Sequence, residues 1–138
     1  MDEKPHVPME DMEMFRTFVE VADEIWPMVK TWTVLAQDTI GVQIIRYADS
    51  VGANLVEGDS TYTTADSLNF FMIARASARE TRYWIEQALV RSLITRDKAA
   101  SLTEKIHRAT RQLNSVISYR RSAKAAGMVK GAAEEYNV

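Results

Sequence analysis

Apolar side chains recur along this chain at helical spacing. In the run from Gln43 to Gly58, Ile44, Ala48, Val51 and Leu55 fall within about 60° of one another at 100° per residue, and Ile45, Gly52 and Val56 widen the apolar arc to about 140°. Arg46, Asp49, Ser50 and Glu57 occupy the other side, so the segment reads as an amphipathic core helix and not as a membrane span. The same period predicts three further helices. The first starts near Met9, after Pro8, and runs to about Trp32, carrying Phe15, Phe18, Val19, Ala22, Ile25, Trp26 and Val29. Pro27 is expected to kink or interrupt it, because proline lacks a donor and clashes with the preceding turn. The second helix spans about residues 36 to 58 and closes at Gly58, which can adopt the left-handed conformation of a helix terminus. Beyond the polar link from Asp59 to Tyr62, Thr63 and Asp66 stand at the spacing of a capping arrangement. The third helix then runs to about Leu93, with Phe70, Ala74, Ser77, Thr81, Ile85 and Ala88 in one stripe. The fourth starts near Thr95 or Arg96 and carries Leu102, Ile106, Ala109, Leu113, Val116 and Ile117 until Gly127.

Four helices of roughly 30–45 Å, at 1.5 Å per residue, joined by short links, make an all-α, antiparallel up-down four-helix bundle. The expected organisation is a flexible N-terminus over residues 1–8, a bundle domain over 9–127, and a disordered tail over 128–138, where the periodicity stops. Composition agrees with one helical domain. The chain has 138 residues, 46% of them hydrophobic, with only five glycines and three prolines. A glycine inside a helix costs about 1 kcal/mol relative to alanine, so Gly52 calls for close approach to another helix, with Ala74 and Ser77 as the partner surface.

The stretch from Gln43 to Gly58 also resembles the signature helix of the four helix bundle protein family, which is known from reading frames inside bacterial 23S ribosomal RNA intervening sequences and includes accessory proteins of diversity-generating retroelements. Gln43, Ile44, Arg46, Ala48, Ser50, Ala53, Asn54, Glu57 and Gly58 match its pattern, whereas Ile45, Tyr47, Asp49, Gly52 and Val56 depart from it. A second family motif is similar to Phe70 through Thr81, with Phe70, Ile73, Ala74, Ser77 and Glu80 matching and Ala76 in place of a glycine. The resemblance covers about residues 14 to 120. It implies a four-helix bundle that forms homopentamers, with a reverse transcriptase as a partner in the retroelement branch, and no agreed biochemical activity.

Charge is strongly polarised along the chain, although the net charge is only −2. Residues 1–69 hold 13 acidic and 4 basic groups, and residues 70–138 hold 6 acidic and 13 basic. In an antiparallel bundle part of this asymmetry becomes internal complementarity, and part orients subunits against each other. Arg75, Arg79 and Arg82 recur at i, i+4 and i+7, with Glu86 in the same narrow arc, and Lys105, Arg108 and Arg111 add basic groups on the fourth helix. These six are the candidate basic face. It suits either phosphate contacts with RNA or DNA or the acidic half of a neighbouring subunit, and the acidic first half of the chain favours the subunit. Arg46, Asn54 and Glu57 form the candidate polar network, between helices or between subunits, with recognition of an outside ligand as the alternative.

Catalytic patterns are thin. There is no cysteine, which removes disulfides, thiolate metal sites and a cysteine nucleophile. Glu104 and His107 have the E-x-x-H spacing of bundle di-iron sites, but those need two such motifs and two more carboxylates, so no metal site is expected. His6 lies in the N-terminal segment. Ser50 and Ser77 lack a histidine partner, and packing with bonds inside helices is their expected role. No catalytic residue and no cofactor are therefore assigned. Two functions remain: a non-enzymatic, self-associating assembly or adaptor module with nucleic acid or a reverse transcriptase-like enzyme as client, and a small-molecule or metal-dependent bundle enzyme. The first is favoured. Self-association is further expected from Met9, Met12, Met14, Trp26, Met28 and Trp32, more apolar surface than one helix of an isolated bundle needs. With no leader-like segment and no long apolar run, the expected compartment is the cytoplasm, without membrane contact.

Overall fold

A computed structural model describes residues 7–61 and 63–136, with side chains described as far as residue 126. His6 and most of the expected flexible N-terminus lie outside the described residues. A short 3-10 turn, Met9–Asp11, leads into α1, Glu13–Lys30. The second helix, α2, is composite. It opens with a turn at Val34–Ala36, passes through a π-helical turn at Gln37–Gly41 and continues as regular helix over Val42–Asp59. Helix α3 spans Thr64–Val90 and α4 spans Arg96–Tyr136. Each helix packs on its neighbour in sequence, and α4 closes the bundle against α1, which gives the all-α, up-down four-helix architecture.

The core follows the helical period. Ile44, Ala48, Val51 and Leu55 of α2 are all buried, as are Leu102, Ile106, Ala109, Leu113 and Ile117 of α4. On α3 the inward stripe runs through Phe71, Ala74, Ser77, Ala78, Thr81, Ile85 and Ala88. Phe70, expected in that stripe, is only half buried, and its neighbour Phe71 takes the core position. A one-residue shift moves a side chain by 100°, and two adjacent phenylalanines leave the choice to tertiary packing.

Helix ends are defined by side-chain caps. Thr33, Thr63 and Thr95 each accept a bond through Oγ1 from the backbone N–H three residues on, at 3.3, 3.1 and 3.1 Å. Helix α3 ends in a Schellman motif, with Leu93 N–H donating to the Ala88 carbonyl and Ser92 N–H to that of Leu89. The left-handed position is held by Ser92, at φ 59°. At the α1–α2 corner, Gln37 Nε2 donates to the carbonyls of Val29 and Lys30, both at 3.2 Å, and satisfies the end of α1. The far end of the bundle is tied by Arg120. It donates to Ser67 Oγ at 2.8 Å, lies 4.8 Å from the centre of the Phe71 ring and is 4.0 Å from Asp59, whose other oxygen accepts from Met9 N–H. Burial pushes the Arg120 pKa down, and Asp59 works against that shift.

Several expectations are corrected. Pro27 does not interrupt α1, which continues to Lys30; the proline falls in the last turn on an exposed side, where one lost donor matters least and water can solvate the freed carbonyl. Gly58 is not a left-handed terminus, since the helix runs through it to Asp59 and ends at Ser60 with φ −95°. It is a close-approach glycine: a Cβ there would stand 2.8 Å from the Phe71 ring and 3.0 Å from Phe70 Cβ. Gly41 is another, 2.7 Å from Val29 Cγ1 by the same measure. Gly52 is not. Its Cβ would meet Val19 at 3.5 Å and Phe15 at 3.7 Å, ordinary contacts with α1 and not with Ala74 or Ser77 of α3. Helix α4 continues past Gly127 to Tyr136, because the intervening sequence holds no proline and is rich in alanine and glutamate.

Candidate functional site

The exposed side of α3 carries Arg75, Arg79 and Arg82 beside α4, where they line a cleft of about 710 Å³ with Met72, Tyr83, Glu86 and Thr110. Arg75 Nη1 donates to Asn114 Oδ1 at 3.0 Å. Arg82 Nε is buried without a partner, and Arg79 is exposed. Among the described residues none of the three arginines pairs with a carboxylate. Arg121 reaches the same rim, with Nη2 3.3 Å from Met72 Sδ.

The rest of the candidate basic face is elsewhere. Lys105 points into the seam between α4 and α1, 2.6 Å from Glu24 and 3.0 Å from Glu20, and Lys98 joins Glu24 at 2.8 Å. Hydrogen bonds that Lys105 donates to Glu24 and then to Glu20 raise its pKa. Burial pushes the Glu24 carboxyl up, but its bonds to Lys105 and Lys98 outweigh this and hold it below the ordinary carboxylate range. Arg108 pairs with Glu104 on its own helix at 2.9 Å, and Arg111 is exposed. Helical spacing alone placed these groups on the fourth helix without fixing which of them turn toward acidic α1.

The candidate polar network does not assemble within the chain. Asn54 Nδ2 donates to the Ser50 carbonyl at 2.8 Å and to Ser50 Oγ at 2.9 Å. Ser50 Oγ in turn lies 2.9 Å from Ser77 Oγ, which links α2 to α3. Arg46 and Glu57 are exposed and join neither that cluster nor each other. The serines act in packing, and Ala74 is buried beside them.

A groove between α1 and α2 is the feature that sequence reading missed. Phe15, Val19, Ala22 and Trp26 line it from α1, and Val42, Ile45, Gly52 and Val56 from α2, in two adjoining hollows of about 360 and 510 Å³. Trp26 is 54% exposed. The other apolar residues expected to provide surplus surface on the first helix are mostly consumed by the fold: Met9, Met14 and Trp32 are buried, and Met12 and Met28 are partly so. Two carboxylates, Asp23 and Asp49, line the groove midway. Burial pushes the Asp49 pKa up, and the nearby charge of Asp23 adds to the shift. Arg46 and Lys30 border the corner end. The signal was present as a second period on each helix, offset from the core stripe, but a residue on such an edge can equally be half-buried core.

Among the described residues no three histidine, aspartate or glutamate side chains are grouped to hold a metal ion. None of the described helices is long and apolar enough to cross a membrane.

An up-down bundle whose outward features are an apolar, acid-centred groove and an arginine-lined cleft belongs to the class of small helical-bundle proteins defined by their surfaces. More particularly, the model of the 23S rRNA-intervening sequence protein family matches residues 10–115, and the chain belongs to that family. Its fold is similar to the crystal structure of a protein of unknown function from the S23 ribosomal protein family of Bacteroides thetaiotaomicron, with 28% identity and a TM-score of 0.67, over 75% of this chain and 97% of that one. No curated protein matches the chain.

Proposed function

We propose that this protein is a non-enzymatic, self-associating bundle that serves as an assembly or adaptor module. The observation that carries the reading is the α1–α2 groove, where Trp26 and Ile45 in one hollow and Val56 in the other leave apolar surface outside the buried core. Exposed apolar grooves with a polar rim mark association surfaces. Among the side chains that an enzymatic reading would recruit, Ser50 and Ser77 are bonded to one another and Glu104 is paired with Arg108. The stoichiometry implied by the family resemblance is five.

Nucleic acid, or an enzyme acting on it such as a reverse transcriptase, is the client we assign to the module, in the cytoplasm. Exposed basic groups left outside the subunit contacts, Arg111 among them, supply cations for phosphates, and such binding weakens steeply with salt. Sedimentation equilibrium of the full chain tests the self-association. We expect a mass several times the 15.7 kDa subunit and a lower mass for Trp26→Glu with unchanged helix content. A mass of one subunit across micromolar concentrations rejects the reading.

A further inference from the structure

We infer that the occupant of the α1–α2 groove is the row of arginine side chains on α3 of a second copy of this chain, the ridge that borders the α3–α4 cleft, docked head to tail. This rests on the self-association proposed above and names the surfaces that meet. Like does not dock with like here. Two grooves face to face would oppose Asp23 and Asp49 to their copies, and two ridges would oppose arginines. Groove against ridge brings opposite charges together on both sides.

The spacing fits as well. On the groove, Phe15 and Trp26 bracket Asp23 on α1, and Ile45 and Val56 bracket Asp49 on α2; on the ridge, Met72 and Tyr83 bracket the three arginines. Each bracket is three helical turns, about 16 Å, and returns to the same helical face. An apolar contact at each end and ionic contacts between them are matched on the two surfaces. Met72, Tyr83, Trp26 and Val56 are all exposed.

The minor charges choose the direction. The ridge ends in Glu86 beyond Tyr83, and the groove ends in Lys30 beyond Trp26, with Arg46 one residue inside Ile45. With the incoming α3 antiparallel to α2, Met72 meets Val56 and Tyr83 meets Ile45, which sets Arg79 level with Asp49, brings Glu86 to Lys30 and leaves Arg82 level with Arg46. The reverse direction carries Arg79 past Asp49 to the level of Gly52 and takes Glu86 away from Lys30. Groove and ridge lie on opposite sides of the bundle, α1–α2 against α3–α4, so a head-to-tail chain keeps one free groove and one free ridge at its ends until a ring closes.

The test uses full-length Asp49→Arg and Arg79→Asp, both at exposed positions, with circular dichroism to confirm unchanged helix content. Each variant alone should dissociate at roughly tenfold or more higher concentration than the parent, and an equimolar mixture should associate, because the ridge of Asp49→Arg finds the groove of Arg79→Asp. Parental mass in either single variant, or a mixture that stays dissociated, overturns the pairing while leaving self-association standing; a parent that is itself a single subunit overturns self-association as well. The Arg75→Gln, Arg79→Gln, Arg82→Gln variant, which reverses no charge, provides a second reading. Its mass should fall, and parental mass with lost filter binding of single-stranded RNA would assign the ridge to nucleic acid instead. The direction is read by mixing Val56→Cys with Met72→Cys in this cysteine-free chain. A disulfide-linked heterodimer is expected from that mixture, and one formed only from Ile45→Cys with Met72→Cys overturns the antiparallel orientation.

Discussion

A methyl group on Gly58 would press on the Phe71 ring from 2.8 Å, whereas one on Gly52 would rest at 3.5 Å from Val19. The two glycines therefore answer alanine with opposite signs. Gly58→Ala should cost about 1–3 kcal/mol by overpacking the α2–α3 contact, and Gly52→Ala should be neutral or gain up to about 1 kcal/mol from helix propensity. Thermal melts of the two variants check the pair, and the opposite order would show that the close approach is at Gly52. Ser92 gives a second residue-scale expectation. It holds φ 59° at the Schellman position without the freedom of glycine, so Ser92→Gly should raise stability by about 0.5–1 kcal/mol. A denaturant midpoint that falls instead would mean that the serine makes a contact outweighing its strain.

At the scale of elements, the seam between α1 and α4 is ionic. Glu24 bridges Lys98 and Lys105, and its carboxyl titrates below the ordinary range in the folded protein. A depressed carboxylate contributes stability above its unfolded pKa, about 4.3, and loses it as pH falls through the lower folded value. Glu24→Gln should accordingly melt below the parent at pH 7, with the gap closing in acid below pH 4; a gap that persists at the lowest pH would assign the loss to packing. Helix number, order and inward stripes were legible because Ile44, Ala48, Val51 and Leu55, or Leu102, Ile106, Ala109 and Leu113, repeat at one unambiguous period. What one helix at a time could not show was how neighbours meet. Gly58 reads as a terminus until Phe71 is set beside it, and Lys105 reads as part of a basic face until α1 supplies Glu20 and Glu24. The π-helical turn at Gln37–Gly41 has no sequence mark apart from Gly41. The candidate site was half legible: the three arginines of α3 stand together as their spacing required, while the acid-centred groove became visible only with α1 packed on α2.

At the scale of the molecule, the charge polarity of the sequence is used twice. Within the subunit, acidic α1 faces Lys98 and Lys105 of α4. Between subunits, in the arrangement inferred above, Asp23 and Asp49 remain for the three α3 arginines that have no carboxylate partner among the described residues. Partly exposed ion pairs at an interface are screened by salt, while the apolar contacts of Trp26, Ile45 and Val56 are not. The assembly should therefore loosen, but not vanish, as sodium chloride rises. The most direct measurement is the sedimentation-equilibrium mass of the unmodified chain over micromolar concentrations at low and high salt. The account predicts a multiple of 15.7 kDa that dissociates at higher protein concentration as salt increases, and a single-subunit mass throughout would contradict it.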